Sequence, residues 1–247
     1  MSELPPFVLL HGGRHGGWCW ARVSPLLRDA GHDVYTPTMT GLGERVHLLS
    51  PDIGLSTHIQ DLVNVFEFED IEDAILVAHS YGGVVASGAM ELIHHRVRSL
   101  VFLDALLTRG GETVLDVVPG DLARAIPEAA AREGEGWYLP TSDASFYGVT
   151  DPADAAWVNS KLTAQPLRAY TEPLVSNERA WTHPGAYIEL RPSQTTPENL
   201  ARAQERAAAD ATFDYRVLEA AHDAMVTEPE RLTRFLLETV GSATPVR

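Results

Sequence analysis

Ser80 has the residue type and the surroundings of a catalytic nucleophile. It lies in the pentapeptide Ala78-His79-Ser80-Tyr81-Gly82. An apolar run, Ala74–Val77, precedes it, and a helix-like stretch begins at Gly83. A serine on such a strand-to-helix turn is exposed at a helix N-terminus, where backbone N–H groups can stabilise developing negative charge. Gly82 and Gly83 supply the small neighbours that the turn needs, although Ala78 replaces the usual glycine. The pattern indicates acyl transfer through a serine.

A glycine-rich segment near the N-terminus could supply backbone donors to the same reaction. It follows a short apolar strand, Phe7–Leu10, and reads His11-Gly12-Gly13-Arg14-His15-Gly16-Gly17. Acyl transfer needs donors aimed at the tetrahedral oxygen, so the N–H groups of Gly13 and Tyr81 are predicted to form an oxyanion hole. A nucleotide-binding loop does not fit, because no Gly-Lys-Ser/Thr follows and Gly41–Val46 lacks the third small residue of a dinucleotide fingerprint.

His222 is the predicted general base. It follows an alternating strand-like run, Phe213–Leu218, and precedes a helical pattern that begins at Pro229. In this reaction type the triad members occur in the order serine, acid, histidine, and a histidine after the last strand meets that order. The alternative is an ordinary surface or core histidine, since the chain contains ten.

Together these motifs resemble those of the α/β-hydrolase superfamily, within the group that contains plant methylesterases, hydroxynitrile lyases and related bacterial esterases. The resemblance runs nearly end to end. Its carriers are Leu10-His11-Gly12-Gly13, Gly17-Trp18-Cys19-Trp20, Asp61-Leu62-Val63, His79-Ser80-Tyr81-Gly82-Gly83, Val101-Phe102-Leu103-Asp104-Ala105 and His222-Asp223-Ala224-Met225. The lyases of this group carry a threonine and a lysine where this chain has Gly12 and Asp223. The positive charge that would stabilise departing cyanide is absent, so the resemblance implies ester hydrolysis.

The acid of the triad requires a separate argument. Ser193 occupies the position after the penultimate strand where the family's acid usually lies. A hydroxyl cannot offset the charge of the imidazolium that forms during attack. Asp104 is the predicted replacement, because it ends the apolar run Leu100–Leu103 and such folds assemble their sites at the carboxyl ends of parallel strands. Alternatively, Asp104 caps a helix or orders the following loop. Glu189 is a weaker candidate, since its position inside a strand turns it away from the rim.

Strand and helix patterns predict an α/β fold with a mainly parallel sheet. The predicted strands are Phe7–Leu10, Asp33–Thr36, Ala74–Ala78, Leu100–Leu103, Ala186–Leu190 and Phe213–Leu218. Helical stretches separate most of them, including Gly83–Met90, Asp121–Arg132 and Pro229–Val240. The interval 106–185 combines prolines with short helical patches and is too long for a simple connection. The predicted division is therefore an α/β-hydrolase core, residues 1–105 and 186–247, with a helical cap insertion, residues 106–185, over Ser80.

Composition narrows the range of partners. The chain has 247 residues, a formal net charge of −15 and a pI of about 5.0, so nucleic acid and anionic membranes are poor partners. A single cysteine, Cys19, excludes an intramolecular disulfide, and residues 1–6 carry no targeting pattern, so a cytoplasmic location is predicted. No metal site is expected, because the adjacent His94 and His95 lack further ligands. A homodimer remains open.

The predicted function is that of a serine carboxylesterase without cofactor or metal. His222 takes the Ser80 proton, Ser80 attacks the ester carbonyl, Asp104 orients His222, and water releases the acyl-enzyme. The apolar cap favours a small to medium hydrophobic ester, such as a methyl ester or a lactone. The alternatives are a non-hydrolytic lyase or cyclase on the same scaffold, a small-molecule receptor with a weakened triad, and amide or thioester hydrolysis.

Overall fold

The central element is a parallel sheet. A computed structural model describes residues 4–241, and within that range the sheet has six strands in the order β2-β1-β3-β4-β7-β8. Its strands are β1 (Phe7–Leu10), β2 (Val34–Tyr35), β3 (Ala74–His79), β4 (Val97–Leu103), β7 (Gly185–Leu190) and β8 (Phe213–Leu218). Two further strands, β5 (Tyr138–Leu139) and β6 (Gln165–Pro166), form a separate antiparallel pair. The strand order reverses at β1, which leaves a crevice between the carboxyl ends of β1 and β3.

Helices cover both faces of the sheet. The α-helices within residues 4–241 are α1 (Val23–Asp29), α2 (Leu55–Phe68), α3 (Gly82–Ile93), α4 (Gly120–Glu133), α5 (Pro152–Asn159), α6 (Arg168–Thr171), α7 (Glu178–Thr182), α8 (Pro197–Ala209), α9 (Ala224–Thr227) and α10 (Pro229–Gly241). Alternate strand residues point to opposite faces. Val8 and Leu76 pack with the residues of α2 and α3, whereas Phe7 and Ile75 pack with those of α1 and α10. This burial on both faces explains why the central strands are continuously apolar.

The predicted strands and longer helices are confirmed, with small shifts at their ends. The strand predicted from Leu100 begins at Val97, and the helix predicted from Gly83 begins at Gly82. The segment between β4 and β7 contains the helices α4 to α7, as expected from its helical patches. The sequence patterns did not predict the β5–β6 pair. Across residues 4–241, none of the helices has the length and apolar character needed to cross a lipid bilayer.

Candidate active site

Ser80 lies on a strained turn between β3 and α3. Its φ is +53°, in the left-handed region that a side chain seldom adopts. The turn is held by its own backbone, because the Ser80 N–H donates to Leu103 O at 3.2 Å and the Ser80 carbonyl accepts from Leu106 N–H at 3.1 Å. Glycine is required at Gly82, where a Cβ would come within 2.7 Å of His11 O. The fold therefore holds the Ser80 side chain at the carboxyl edge of the sheet.

The backbone N–H groups of Gly13 and Tyr81 are the predicted donors of an oxyanion hole. Gly13 and Tyr81 line the same cavity as Ser80. Among residues 4–241, neither the Gly13 N–H nor the Tyr81 N–H donates to a protein acceptor. A Cβ at Gly13 would lie 2.1 Å from the Tyr170 hydroxyl oxygen, so a side chain there requires Tyr170 or the turn to shift. Two N–H groups without protein acceptors in one cavity can stabilise an oxyanion.

Asp104 and His222 are in direct contact. Nδ1 of His222 donates to Asp104 Oδ2 at 2.6 Å, and both side chains are buried. Asp104 directly follows β4, and its N–H donates to Ile188 O at 2.8 Å. With a proton on Nδ1, the Nε2 atom of His222 is left to accept a proton. His222 lines the cavity together with Ser80. The arrangement thus supplies a carboxylate behind an imidazole that shares a cavity with a serine.

Ser193 hydrogen-bonds to Asp104, and within residues 4–241 its hydroxyl makes no hydrogen bond with His222. Its hydroxyl donates to Asp104 Oδ1, while the Gln194 N–H lies 3.4 Å from Oδ2. Glu189 is bound elsewhere, because its carboxylate accepts from the Tyr215 hydroxyl at 2.7 Å and from the Arg191 guanidinium. Of the three candidates for the acid, Asp104 is the carboxylate that contacts the histidine.

A further histidine fixes the loop that carries His222. His79, the residue before Ser80, donates from Nε2 to the His222 carbonyl at 3.0 Å. Burial and the neighbouring His222 lower the His79 pKa well below 6.5, so this ring is neutral. His11 is neutral as well, since burial lowers its pKa to about 3. Its Nδ1 donates to Gly12 O at 2.7 Å and its Nε2 accepts from Met39 N–H at 3.1 Å. Both histidines order the turns of the site.

A buried ion pair at the site was not predicted from the sequence. Nε2 of His15 lies 3.0 Å from Asp223 Oδ2, and its Nδ1 lies 2.8 Å from Gly13 O. The Gly13 carbonyl only accepts, so Nδ1 carries a proton, and the Asp223 carboxylate stabilises a second proton on Nε2. Burial alone would lower the His15 pKa, but the charge and hydrogen bond of Asp223 outweigh it and raise that pKa above 6.5. The pair joins the glycine-rich segment after β1 to the loop that carries His222. His15 and Asp223 lie 208 residues apart in the sequence.

The cavity beside Ser80 has a mixed wall. Its volume is about 110 Å³, and it is partly open to solvent. Leu106, Val118, Leu122 and Ile126 form an apolar side. Polar groups of Ser142, Gln194 and Thr195 lie at other points of the wall. The sequence predicted an apolar cavity but not these polar positions.

Other reactive groups lie away from this chemistry. Cys19 is buried in the apolar cluster of α1 and α10, and burial raises its pKa well above 9.0, so it remains a thiol. Within the described part of the chain, no group of three or more His, Cys, Asp or Glu side chains could hold a metal ion.

Comparisons with known proteins find a matching family and several similar proteins. A model described as "Alpha/beta hydrolase family" matches residues 7–235. A carbendazim-hydrolysing esterase of Nocardioides sp. (strain SG-4G) is 39% identical, over 68% of this chain and 72% of its own. Methylesterase 10 of Arabidopsis thaliana is 28% identical, over 96% of this chain and 92% of its own.

A solved structure has the same overall fold. An extracellular α/β-hydrolase from a Paenibacillus species superposes with a TM-score of 0.81 at 20% identity. The match covers 96% of this chain and 99% of that one.

Proposed function

The chain belongs to the alpha/beta hydrolase family, and on that premise we propose that it is a serine carboxylesterase. Ser80 is the nucleophile, His222 the general base and Asp104 the acid that orients His222. Attack on the ester carbonyl forms an oxyanion that the N–H groups of Gly13 and Tyr81 stabilise, and water then hydrolyses the acyl-enzyme. In this proposal residues 106–185 act as the cap that shapes the substrate cavity.

The observation that carries the proposal is the contact between His222 and Asp104 at the wall of the Ser80 cavity. The hydrogen bond of 2.6 Å fixes the imidazole tautomer, and the buried carboxylate stabilises the imidazolium that forms during attack. The esterase relatives support a substrate with an ester bond. We propose a small to medium hydrophobic ester, such as a methyl ester or a lactone.

The first prediction concerns the nucleophile. Incubation with a fluorophosphonate should add one label at Ser80, and Ser80→Ala should abolish both the label and most turnover of p-nitrophenyl butyrate. A loss of at least about a thousandfold in kcat is expected, since the acyl-enzyme route is removed. Intact mass, peptide mapping and steady-state kinetics provide the measurement. Ser87→Ala, at a buried serine of α3, is the matched control and should retain the label.

Isotope labelling separates hydrolysis from the non-hydrolytic alternatives. Turnover in H₂¹⁸O should introduce one ¹⁸O atom into the released acid. A product without ¹⁸O would favour a lyase or cyclase. Tight binding of the ester without any label or turnover would instead favour a receptor.

A further inference from the structure

Arg14 adds a positive charge to the cavity that contains Ser80. Among residues 4–241, the side chains that line this cavity include one permanent cation, Arg14, and no carboxylate. No carboxylate oxygen of those residues lies within 4.0 Å of an Arg14 nitrogen, whereas Arg45 and Arg202 each have such a partner. Arg14 is half-buried. A guanidinium of this kind in a concave site lacks the counter-charge that a buried cation normally has.

Contacts with the cap segment hold Arg14 in position. Its Nε donates to Pro140 O at 2.9 Å, its backbone N–H donates to Gln165 Oε1 at 2.9 Å, and its carbonyl accepts from Thr163 N–H at 3.0 Å. A guanidinium has five N–H donors, so donors remain beyond the Nε–H that Pro140 binds and the interaction with the Tyr147 hydroxyl. Burial raises the pKa of Tyr170 in the cavity wall to about 12, and the charge of Arg14 opposes that rise. The charge of Arg14 therefore affects a group in the cavity wall, and contacts with residues 140–165 hold Arg14 in place.

The chemistry of the wall matches a ligand with an apolar middle and an anionic end. A guanidinium binds a carboxylate through two parallel hydrogen bonds, and the contact is strong where water is displaced. Leu122 and Ile126 offer an apolar surface to the hydrocarbon part of the same ligand. The formal net charge of −15 opposes anions at long range, but salt screens it beyond about 8 Å at physiological ionic strength.

We propose that Arg14 selects esters that carry a second, ionised carboxylate, such as half-esters of dicarboxylic acids. The inference rests on the proposed function, in which Ser80 attacks the ester carbonyl, and it names the substrate class of that site. Arg14 binds the free carboxylate and leaves the ester group beside Ser80 and the oxyanion donors. Arg14 is thus a specificity-determining residue that takes no part in the bond changes.

A pair of matched esters tests this inference. Monomethyl glutarate and methyl pentanoate have acyl chains of the same length and differ in the terminal carboxylate. The ratio of their kcat/KM values should fall by roughly tenfold to a hundredfold in Arg14→Met, mainly through KM, because a hydrogen-bonded contact with a charged group is lost. Arg14→Lys should retain part of the preference. The ratio in the wild type should also fall as salt is added.

The control is Arg124→Met, which removes the same charge from an exposed position on α4 outside the cavity. It should leave the ratio unchanged. An equal ratio in the wild type and Arg14→Met, with turnover that still depends on Ser80, would overturn the inference and leave the esterase proposal intact.

Calorimetry keeps the inference testable if neither ester is hydrolysed. Weaker binding of monomethyl glutarate to Arg14→Met than to the wild type would then support Arg14 as an anion site, while the label at Ser80 tests the esterase proposal separately. Equal affinity of the wild type and Arg14→Met for monomethyl glutarate would overturn the inference. Equal affinity of the wild type for monomethyl glutarate and methyl pentanoate would do the same. If Arg14→Met does not fold, the preference for monomethyl glutarate over methyl pentanoate is measured in Arg14→Lys and in the wild type at increasing salt concentration.

Discussion

Asp104 accepts hydrogen bonds from His222 and from Ser193, which approach its two carboxylate oxygens separately. The carboxylate and the hydroxyl contribute differently to the proposed reaction. A carboxylate offsets the positive charge that develops on His222, whereas a hydroxyl at the second oxygen helps to fix the carboxylate. The two contributions can be separated by substitution.

Asp104→Asn should lower kcat on the order of a thousandfold or more, because the side-chain shape remains while the negative charge is lost. Ser193→Ala should cost about tenfold or less, since Asp104 keeps its contacts with His222 and the Gln194 N–H. Steady-state kinetics on one p-nitrophenyl ester measure both variants. The opposite order of effects would contradict the assignment of Asp104 as the acid.

His15 and Asp223 form a buried pair, and its loss should lower the stability of the protein. His15→Leu should lower the free energy of unfolding by about 3 to 5 kcal/mol, because it leaves the Asp223 carboxylate buried without a partner. The double variant His15→Leu/Asp223→Leu should regain part of that loss. Urea unfolding at neutral pH measures the cycle. Additive effects of the two single substitutions would contradict a coupled pair.

Some residues of the candidate site could be predicted from the sequence and others could not, for a physical reason. Ser80 and His222 lie in local motifs that a turn geometry imposes, and Asp104 follows from its position at the end of a strand. The pairing of His15 with Asp223 joins two distant loops and leaves no periodic or local signal. Arg14 likewise became notable only once the structure showed the absence of an acidic partner among the described residues.

The turn after β1 and the helix α6 approach each other closely at Gly13. A Cβ at this position would lie 2.1 Å from the Tyr170 hydroxyl oxygen and 3.3 Å from its ring carbon Cζ. Tyr170 in turn stacks on Tyr81, with ring centroids 5.2 Å apart. Tyr170, from the segment between β4 and β7, therefore limits the space at Gly13 in the turn after β1.

Gly13→Ala should displace the oxyanion segment and lower kcat by about a hundredfold, the usual cost of a lost oxyanion donor. Because the nearest obstacle is the hydroxyl, Gly13→Ala/Tyr170→Phe should recover part of the activity. Kinetics of the two single variants and the double variant provide the measurement. No recovery in the double variant would show that the hydroxyl contact does not limit the turn.

The strands of the six-stranded sheet could be predicted from the sequence, whereas the elements between β4 and β7 could be predicted only in part. β1, β3 and β4 are buried on both faces, which imposes continuous apolar runs. The strands β5 and β6 have two residues each and show no alternation that a sequence pattern could reveal. Their pairing depends on the tertiary arrangement of the segment between β4 and β7.

Several histidines are buried in the neutral form, which makes the whole molecule sensitive to acid. Burial lowers the pKa of His11 to about 3, that of His58 to about 4 and that of His79 well below 6.5. These rings become protonated near pH 6.5 in the unfolded chain but remain neutral in the folded one. The unfolded state therefore binds more protons below pH 6.5, and stability falls as the pH falls through that range.

Between pH 7.5 and 5.5, each of these three histidines should remove about 1.4 kcal/mol from the free energy of unfolding. His15 acts in the opposite direction, because its raised pKa gives stability that is complete below pH 6.5 and is lost as the pH rises through the folded-state value. A net loss of about 3 kcal/mol is expected. Urea unfolding at the two pH values measures it, and equal stability at both would contradict the neutral assignment.

The parallel sheet has a consequence for how the molecule folds. Neighbouring strands such as β4 and β7 are more than 80 residues apart in sequence, so much of the chain must be brought together before they pair. Asp104 and His222 meet only after β7 and β8 have joined the sheet. Local helices can form early during refolding, whereas the contact between Asp104 and His222 requires long-range strand pairing. Recovery of activity would then report completion of the native topology and not the first appearance of helical structure.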